Sequence, residues 1–108
     1  MTDPRPLMRT EEEDGRVVVR LAGEVDLSNV DGLETQIDGA IANAQDVVID
    51  LSAIDFIDSR GLRLLKRVSA AVAHRDGTLL VVAPAGSVAR SVLDITGMSQ
   101  ELAVQDAV

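Results

Sequence analysis

Hydrophobic residues along this chain follow two rhythms, and the change from one to the other marks out the elements. Arg16 to Ala22 reads Arg-Val-Val-Val-Arg-Leu-Ala, Val47 to Ile49 is a β-branched run closed by Asp50, and Thr78 to Ala83 reads Thr-Leu-Leu-Val-Val-Ala. Short apolar runs of this kind predict strands, those at Val47 and Thr78 buried on both faces. Between the runs the spacing becomes helical, each residue turning about 100° around the axis. Val30, Leu33, Ile37, Ala40, Ile41 and Ala44 then share one arc, with Asp31, Glu34 and Asp38 opposite. From a start near Ser59, Leu62, Leu64, Leu65, Val68 and Val72 fill one arc while Arg60, Arg63, Lys66 and Arg67 fill the other. Both segments predict amphipathic helices lying on a sheet, the basic arc of the second facing outward.

Turn and cap residues punctuate this pattern. Met1 to Arg5 is expected to fray, and Leu7 to Glu12 alternates weakly, as an edge strand would. Glu11 to Gly15 reads as a charged turn, and Asp14-Gly15 suits a hairpin into the strand at Arg16. Gly23 to Leu27 reads as a loop with two carboxylates, and Ser28-Asn29-Val30-Asp31 as a capping box. Another loop is expected to hold Phe56, the single aromatic residue. Asp76-Gly77 stops the second long helix, and Pro84-Ala85-Gly86 breaks the strand before it. Ser87 should cap a short helix with Val88, Val92 and Ile95 on its inner face, stopped by Gly97. Leu102 to Val104 reads as a short last strand. Strands alternate with helices from Arg16 onward, which predicts one α/β domain: a mixed, mostly parallel sheet of four to five strands with helices packed against it.

Composition narrows the function. At 108 residues the chain is the size of one domain and can bury roughly two thirds of its unfolded surface. A net charge of −8 argues against nucleic acid as a partner, because that affinity comes from neutralising phosphates with Lys and Arg. No apolar run approaches the roughly 18 residues of a membrane span, and the start lacks a signal-peptide core, so a soluble, cytoplasmic protein without membrane insertion is expected. There is no cysteine and one histidine, His74, placed on the polar arc and expected to be exposed. Thiol chemistry is excluded and a histidine-rich metal site has little to draw on. No metal, no cofactor and no enzymatic activity are expected.

The start of the second helix carries an electrostatic oddity. Arg60 and Arg63 lie in the first turn, at the positive end of the dipole, where acidic side chains are normally preferred. They would be well placed if an anion sat there, and Ser59 offers a hydroxyl to which a phosphate could be attached. Three kinds of protein fit this arrangement. One is a metal-dependent phosphoacceptor with Asp50 as acceptor, fed by carboxylates collected at strand ends: Glu24, Asp26, Asp50, Asp55 and Asp58. Such a site needs a lysine after a late strand, and the only lysine is Lys66, inside a helix. Another is a protein in which Asp58 merely caps the helix and the basic arc is solvated surface. The third is a regulatory binding module phosphorylated on Ser59. Acid–base hydrolysis by Asp26 and Asp58 has no supporting motif, and the glycines are too scattered for a phosphate loop.

From about Leu7 to Val104 the chain resembles the STAS domain of anti-sigma factor antagonists. Gly23-Glu24-Val25-Asp26 resembles that family's Gly-Glu-hydrophobic-Asp segment, and Val48-Ile49-Asp50-Leu51 its central strand. Phe56-Ile57-Asp58-Ser59-Arg60-Gly61-Leu62 resembles its Asp-Ser-Ser/Thr-Gly-Leu phosphorylation motif, and Val88 to Met98 its late helix and glycine stop. The resemblance implies binding to an anti-sigma factor that is usually a serine kinase of the histidine-kinase-like ATPase fold, and so release of a sigma factor. It implies phosphorylation at Ser59, reversal by a serine phosphatase, and a partner surface of Asp26, Asp58, Ser59, Arg60, Gly61, Leu62 and Arg63. The family also suggests an alternative, a non-phosphorylated STAS scaffold or subunit of a transporter or lipid-export complex. Arg60 departs from the hydroxyl residue common after the phosphoacceptor, and a terminal helix frequent in relatives is not expected here.

Overall fold

A computed structural model describes residues 7–107; the expected fraying of Met1 to Arg5 falls outside them. Strand β1 (Met8–Glu13) and β2 (Arg16–Val25) form the expected hairpin. Its turn is Asp14-Gly15, with φ of 53° and 83°, the doubly positive geometry whose twist matches that of the strands it joins. The charged turn is therefore shorter than Glu11 to Gly15, because Glu11 to Glu13 pair with β2 as strand. Helix α1 (Val30–Ile41), β3 (Asp46–Ile57), α2 (Ser59–His74) and β4 (Thr78–Val82) follow. The chain continues through α3 (Val88–Ile95), α4 (Met98–Glu101) and β5 (Val104–Gln105). The sheet order is β1-β2-β3-β4-β5, with β1 antiparallel to β2 and the remaining neighbours parallel.

Alternation along the strands splits their side chains between two faces. Val17, Val19, Leu21, Val47, Ile49, Leu51 and Val81 join the main core, with Leu33 and Ile37 of α1 and Leu65, Val68 and Val72 of α2. Val18, Val48 and Val82 point the other way and form a smaller buried cluster with Leu80. Among the described residues no helix is long and apolar enough to cross a membrane.

Several expectations are corrected. The strands at Arg16 and Val47 do not stop at Ala22 and Asp50: β2 and β3 stay paired to Val25↔Ile57 through two register shifts, between Arg20 and Ala22 and between Gly23 and Glu24. Glu24 and Phe56 thus lie on strands rather than in loops. In α3 the buried residues are Ala89 and Leu93; Val92 of the expected face is half-buried against the core, while Ile95 is 85% exposed and Val88 is also exposed. In this orientation Arg90 donates to the Ala83 carbonyl and the Asp106 carboxylate, both at 3.0 Å. The last strand, Val104–Gln105, starts two residues and ends one residue later than expected and follows the short α4. Finally, half of the basic arc of α2 is already neutralised: Arg67 bonds Glu34 at 2.6 Å and Asp38 at 2.8 Å, and Lys66 reaches Glu101 at 3.1 Å.

Candidate functional site

Asp58 joins three elements. Its backbone N–H donates to the Val25 carbonyl at 3.2 Å, continuing the β2–β3 pairing for one residue. Its side chain then caps α2: Oδ1 accepts the N–H groups of Arg60 at 2.9 Å and Gly61 at 3.1 Å. Free amides at a helix start need such an acceptor. Oδ2 accepts the N–H of Leu27 at 3.3 Å, from the loop between β2 and α1. One carboxylate therefore fixes the helix and holds the neighbouring loop against it.

That loop is braced from within. Asp26 Oδ1 accepts both the N–H of Ser28, at 2.9 Å, and its hydroxyl, at 2.5 Å. The Ser28 hydroxyl, and then its amide, hold the Asp26 carboxyl below the usual range. Asn29 donates to the Glu24 carbonyl at 2.7 Å and accepts from the Asp26 N–H at 3.1 Å. The capping box expected at Ser28 is not formed. The helix starts one residue later, Asn29 makes no side-chain cap, and Ser28 is engaged by the nearer Asp26 carboxylate.

Ser59 is the first residue of α2 and is exposed, with exposed Arg60 beside it and exposed Arg63 one turn on. Among the described residues neither arginine is in an ion pair, in contrast to Lys66 and Arg67. Gly61 is buried because α2 approaches the strand ends closely: a Cβ there would lie 2.5 Å from Ile57 Cγ1 and 3.0 Å from Val25 Cγ1. Leu62 is half-buried. The residues Asp26, Asp58, Ser59, Arg60, Gly61, Leu62 and Arg63 thus share the mouth of α2 and the loop beside it. Leu27, which sequence reasoning passed over, is 64% exposed at the same place. The available signal was a leucine set between Asp26 and Ser28, where a turn needs no apolar side chain.

The carboxylates do not gather into a phosphoacceptor centre. Asp50 sits inside β3 rather than at its end, 7% exposed. Its Oδ2 bonds Arg20 at 2.6 Å, and Oδ1 accepts the N–H and hydroxyl of Ser52 at 2.9 and 2.6 Å. Among the described residues no group of three or more His, Asp or Glu side chains is placed to hold a metal ion.

Residues 8–108 match the model of the STAS domain. The chain belongs to the STAS domain family. The anti-sigma-F factor antagonist RsfB of Mycobacterium tuberculosis is 32% identical to it over 90 residues, 82% of this chain and 72% of that protein. The crystal structure of an anti-sigma factor antagonist from Mycobacterium paratuberculosis, 30% identical, superposes with a TM-score of 0.79 over 94% of this chain and 86% of the other. The cell fate determinant SpoIIAA of Bacillus in its phosphorylated form is 22% identical, with a TM-score of 0.68 over 91% of this chain and 90% of that one. That last likeness is one of fold. In this STAS domain the Asp58 cap can be tested directly. Asp58→Ala is expected to cost about 1 kcal/mol of stability. It should also speed hydrogen exchange at the amides of Leu27, Arg60 and Gly61 together; unchanged exchange at Leu27 would show that the loop is held by other contacts.

Proposed function

We propose that this STAS domain is an anti-sigma factor antagonist, binding an anti-sigma factor through the mouth of α2 and released when Ser59 is phosphorylated. The partner acts as the serine kinase, and a phosphatase restores binding. The observation that carries this reading is the exposed Ser59 at the first position of α2, next to the capping Asp58, in a chain 32% identical to a named antagonist. A protein of the same fold is known in a phosphorylated form.

The switch follows from where the charge lands. A phosphate brings about −1.5 to −2 charges at neutral pH. The N-terminal end of a helix tolerates a negative group well, so the fold itself should stay intact. A partner lying flush over Ser59 and Leu62 would instead have to strip water from a dianion, at a cost of several kcal/mol. Binding is lost while the antagonist remains folded.

Three forms of the protein test this on an immobilised anti-sigma factor. Wild type and Ser59→Ala should be retained, and Ser59→Asp should lose at least about tenfold in affinity, on the scale of about 1.4 kcal/mol per factor of ten. Equal retention of all three would remove the switch. Intact mass after incubation with the partner and ATP should rise by one phosphoryl group in wild type and stay unchanged in Ser59→Ala.

A further inference from the structure

Strand β1 forms one edge of the sheet, and among the described residues no strand pairs with its outer side. The Ala22 amide donates to the Leu7 carbonyl at 2.8 Å. Bonded and unbonded pairs alternate along an antiparallel ladder, so Leu7, Arg9, Glu11 and Glu13 bond inward to β2. The backbone groups of Met8, Thr10 and Glu12 therefore point outward, a ready template for another strand. Side chains divide between the two faces of the sheet. Met8, Thr10 and Glu12 stand opposite Leu21, Val19 and Val17 on the face that the helices cover. Arg9 and Glu11 stand opposite Arg20 and Val18 on the other face, whose buried cluster contains no helical residue.

Charges on an edge strand guard it against chance pairing, and here they leave one alignment open to a second copy. Outward residues must meet outward residues for hydrogen bonds to form. Centred on Thr10, two antiparallel copies of β1 set Arg9 against Glu11, twice by symmetry. These are unbonded pairs, the kind that brings side chains closest. Glu12 and Glu13 then meet Met8 and Leu7 rather than another carboxylate. A centre at Arg9 would oppose arginine to arginine, and a centre at Glu11 glutamate to glutamate. Arg9 is exposed, and the Glu11 side chain is 46% exposed even with Arg20 at 3.2 Å, so each can take the other. We infer that β1 is a self-association edge: a second copy of this chain adds its own β1, centred on Thr10, and joins two five-stranded sheets into one. The helices of both copies then lie on one face. Because β2 of one copy runs opposite to β2 of the other, the two α2 mouths stand at opposite ends of the joint sheet, both uncovered.

Sedimentation of the full chain from micromolar to near-millimolar concentration tests this, in about 0.15 M salt to screen repulsion between the acidic bodies. A monomer–dimer equilibrium is expected within that range. Arg9→Glu and, separately, Thr10→Pro should each raise its dissociation constant at least about tenfold. Neither change removes a bond to β2, since the Thr10 amide points outward and an edge accepts proline; circular dichroism checks that both variants fold. Adding Glu11→Arg to Arg9→Glu reverses the pair and should restore the dimer. The chain has no cysteine, so Thr10→Cys under a mild oxidant reports the centre directly. Its two copies would stand about 5.5 Å apart at Cα, within disulfide range, and should link. Thr35→Cys, exposed on α1, should not. A monomer at every concentration overturns the inference, as does a dimer indifferent to Arg9→Glu and Thr10→Pro. So does a folded double variant that associates no better than Arg9→Glu, or a link through position 35 and none through position 10.

Discussion

Gly61→Val is expected to lower stability by about 3 kcal/mol and to shift the mouth of α2 away from the strand ends. Overpacking a filled core typically costs 1–3 kcal/mol, and more when rigid neighbours must yield. Here a Cβ alone would stand 2.5 Å from Ile57 Cγ1, 3.0 Å from Ile57 Cδ1 and 3.0 Å from Val25 Cγ1. Ile57 and Val25 are paired residues at the ends of β3 and β2 and are themselves 4% and 1% exposed, so neither has room to move. Two further methyl groups leave movement of the helix as the only relief. Gly61→Ala should cost less, because alanine regains about 1 kcal/mol of helix propensity over glycine. Urea unfolding midpoints in the order wild type, alanine, valine are the expected result; a valine variant as stable as wild type would show that α2 is not held this close. The glycine of the motif is therefore explained by packing, and it sets the distance between Ser59 and the sheet.

Asp50→Asn should cost about 2 kcal/mol at neutral pH, and the difference should narrow in acid. Burial by itself would raise the Asp50 carboxyl, but the Ser52 hydroxyl and amide and the Arg20 guanidinium together hold it below the usual range. A carboxyl depressed in the folded state stabilises the fold above its unfolded pKa of about 3.9 and loses that contribution as pH falls through the folded value. The gap between wild type and variant should therefore be full above about pH 5 and close progressively below about pH 4. A charge-assisted hydrogen bond contributes roughly 1.5–3 kcal/mol. The larger cost of a fully buried broken pair does not apply, because Arg20 is 30% exposed at its side chain and keeps Glu11 at 3.2 Å. Paired denaturation curves at pH 7 and pH 3 measure both parts. A gap that does not narrow between pH 7 and pH 3 would show that Asp50 acts by shape rather than by charge.

The helices were legible because their evidence is local. Leu33, Ile37, Leu65, Val68 and Val72, marked by spacing alone, are all buried, and Asp58-Ser59 stands where a cap and first residue were expected. Strand lengths were not legible beyond Ala22 and Asp50. The burial pattern of β3 after Asp50 breaks strict alternation, and what keeps β2 and β3 together there is pairing between residues some thirty apart in the chain. The phase of α3 was equally hidden. Val88, Ala89, Val92, Leu93 and Ile95 are all apolar, and the wheel offers two inner faces without choosing between them.

The sequence alone determined the order of strands and helices, the arcs of α1 and α2, and the serine at the head of the second helix, because periodicity and capping act over a few neighbouring residues. Only the tertiary structure decided which charges remain free. Arg67, Lys66 and Arg20 find carboxylates on other elements, while Arg60 and Arg63 find none among the described residues, and Asp58 gathers an amide from a loop 31 residues earlier. Those pairings depend on distances between segments remote in the chain, which packing sets and no local pattern records.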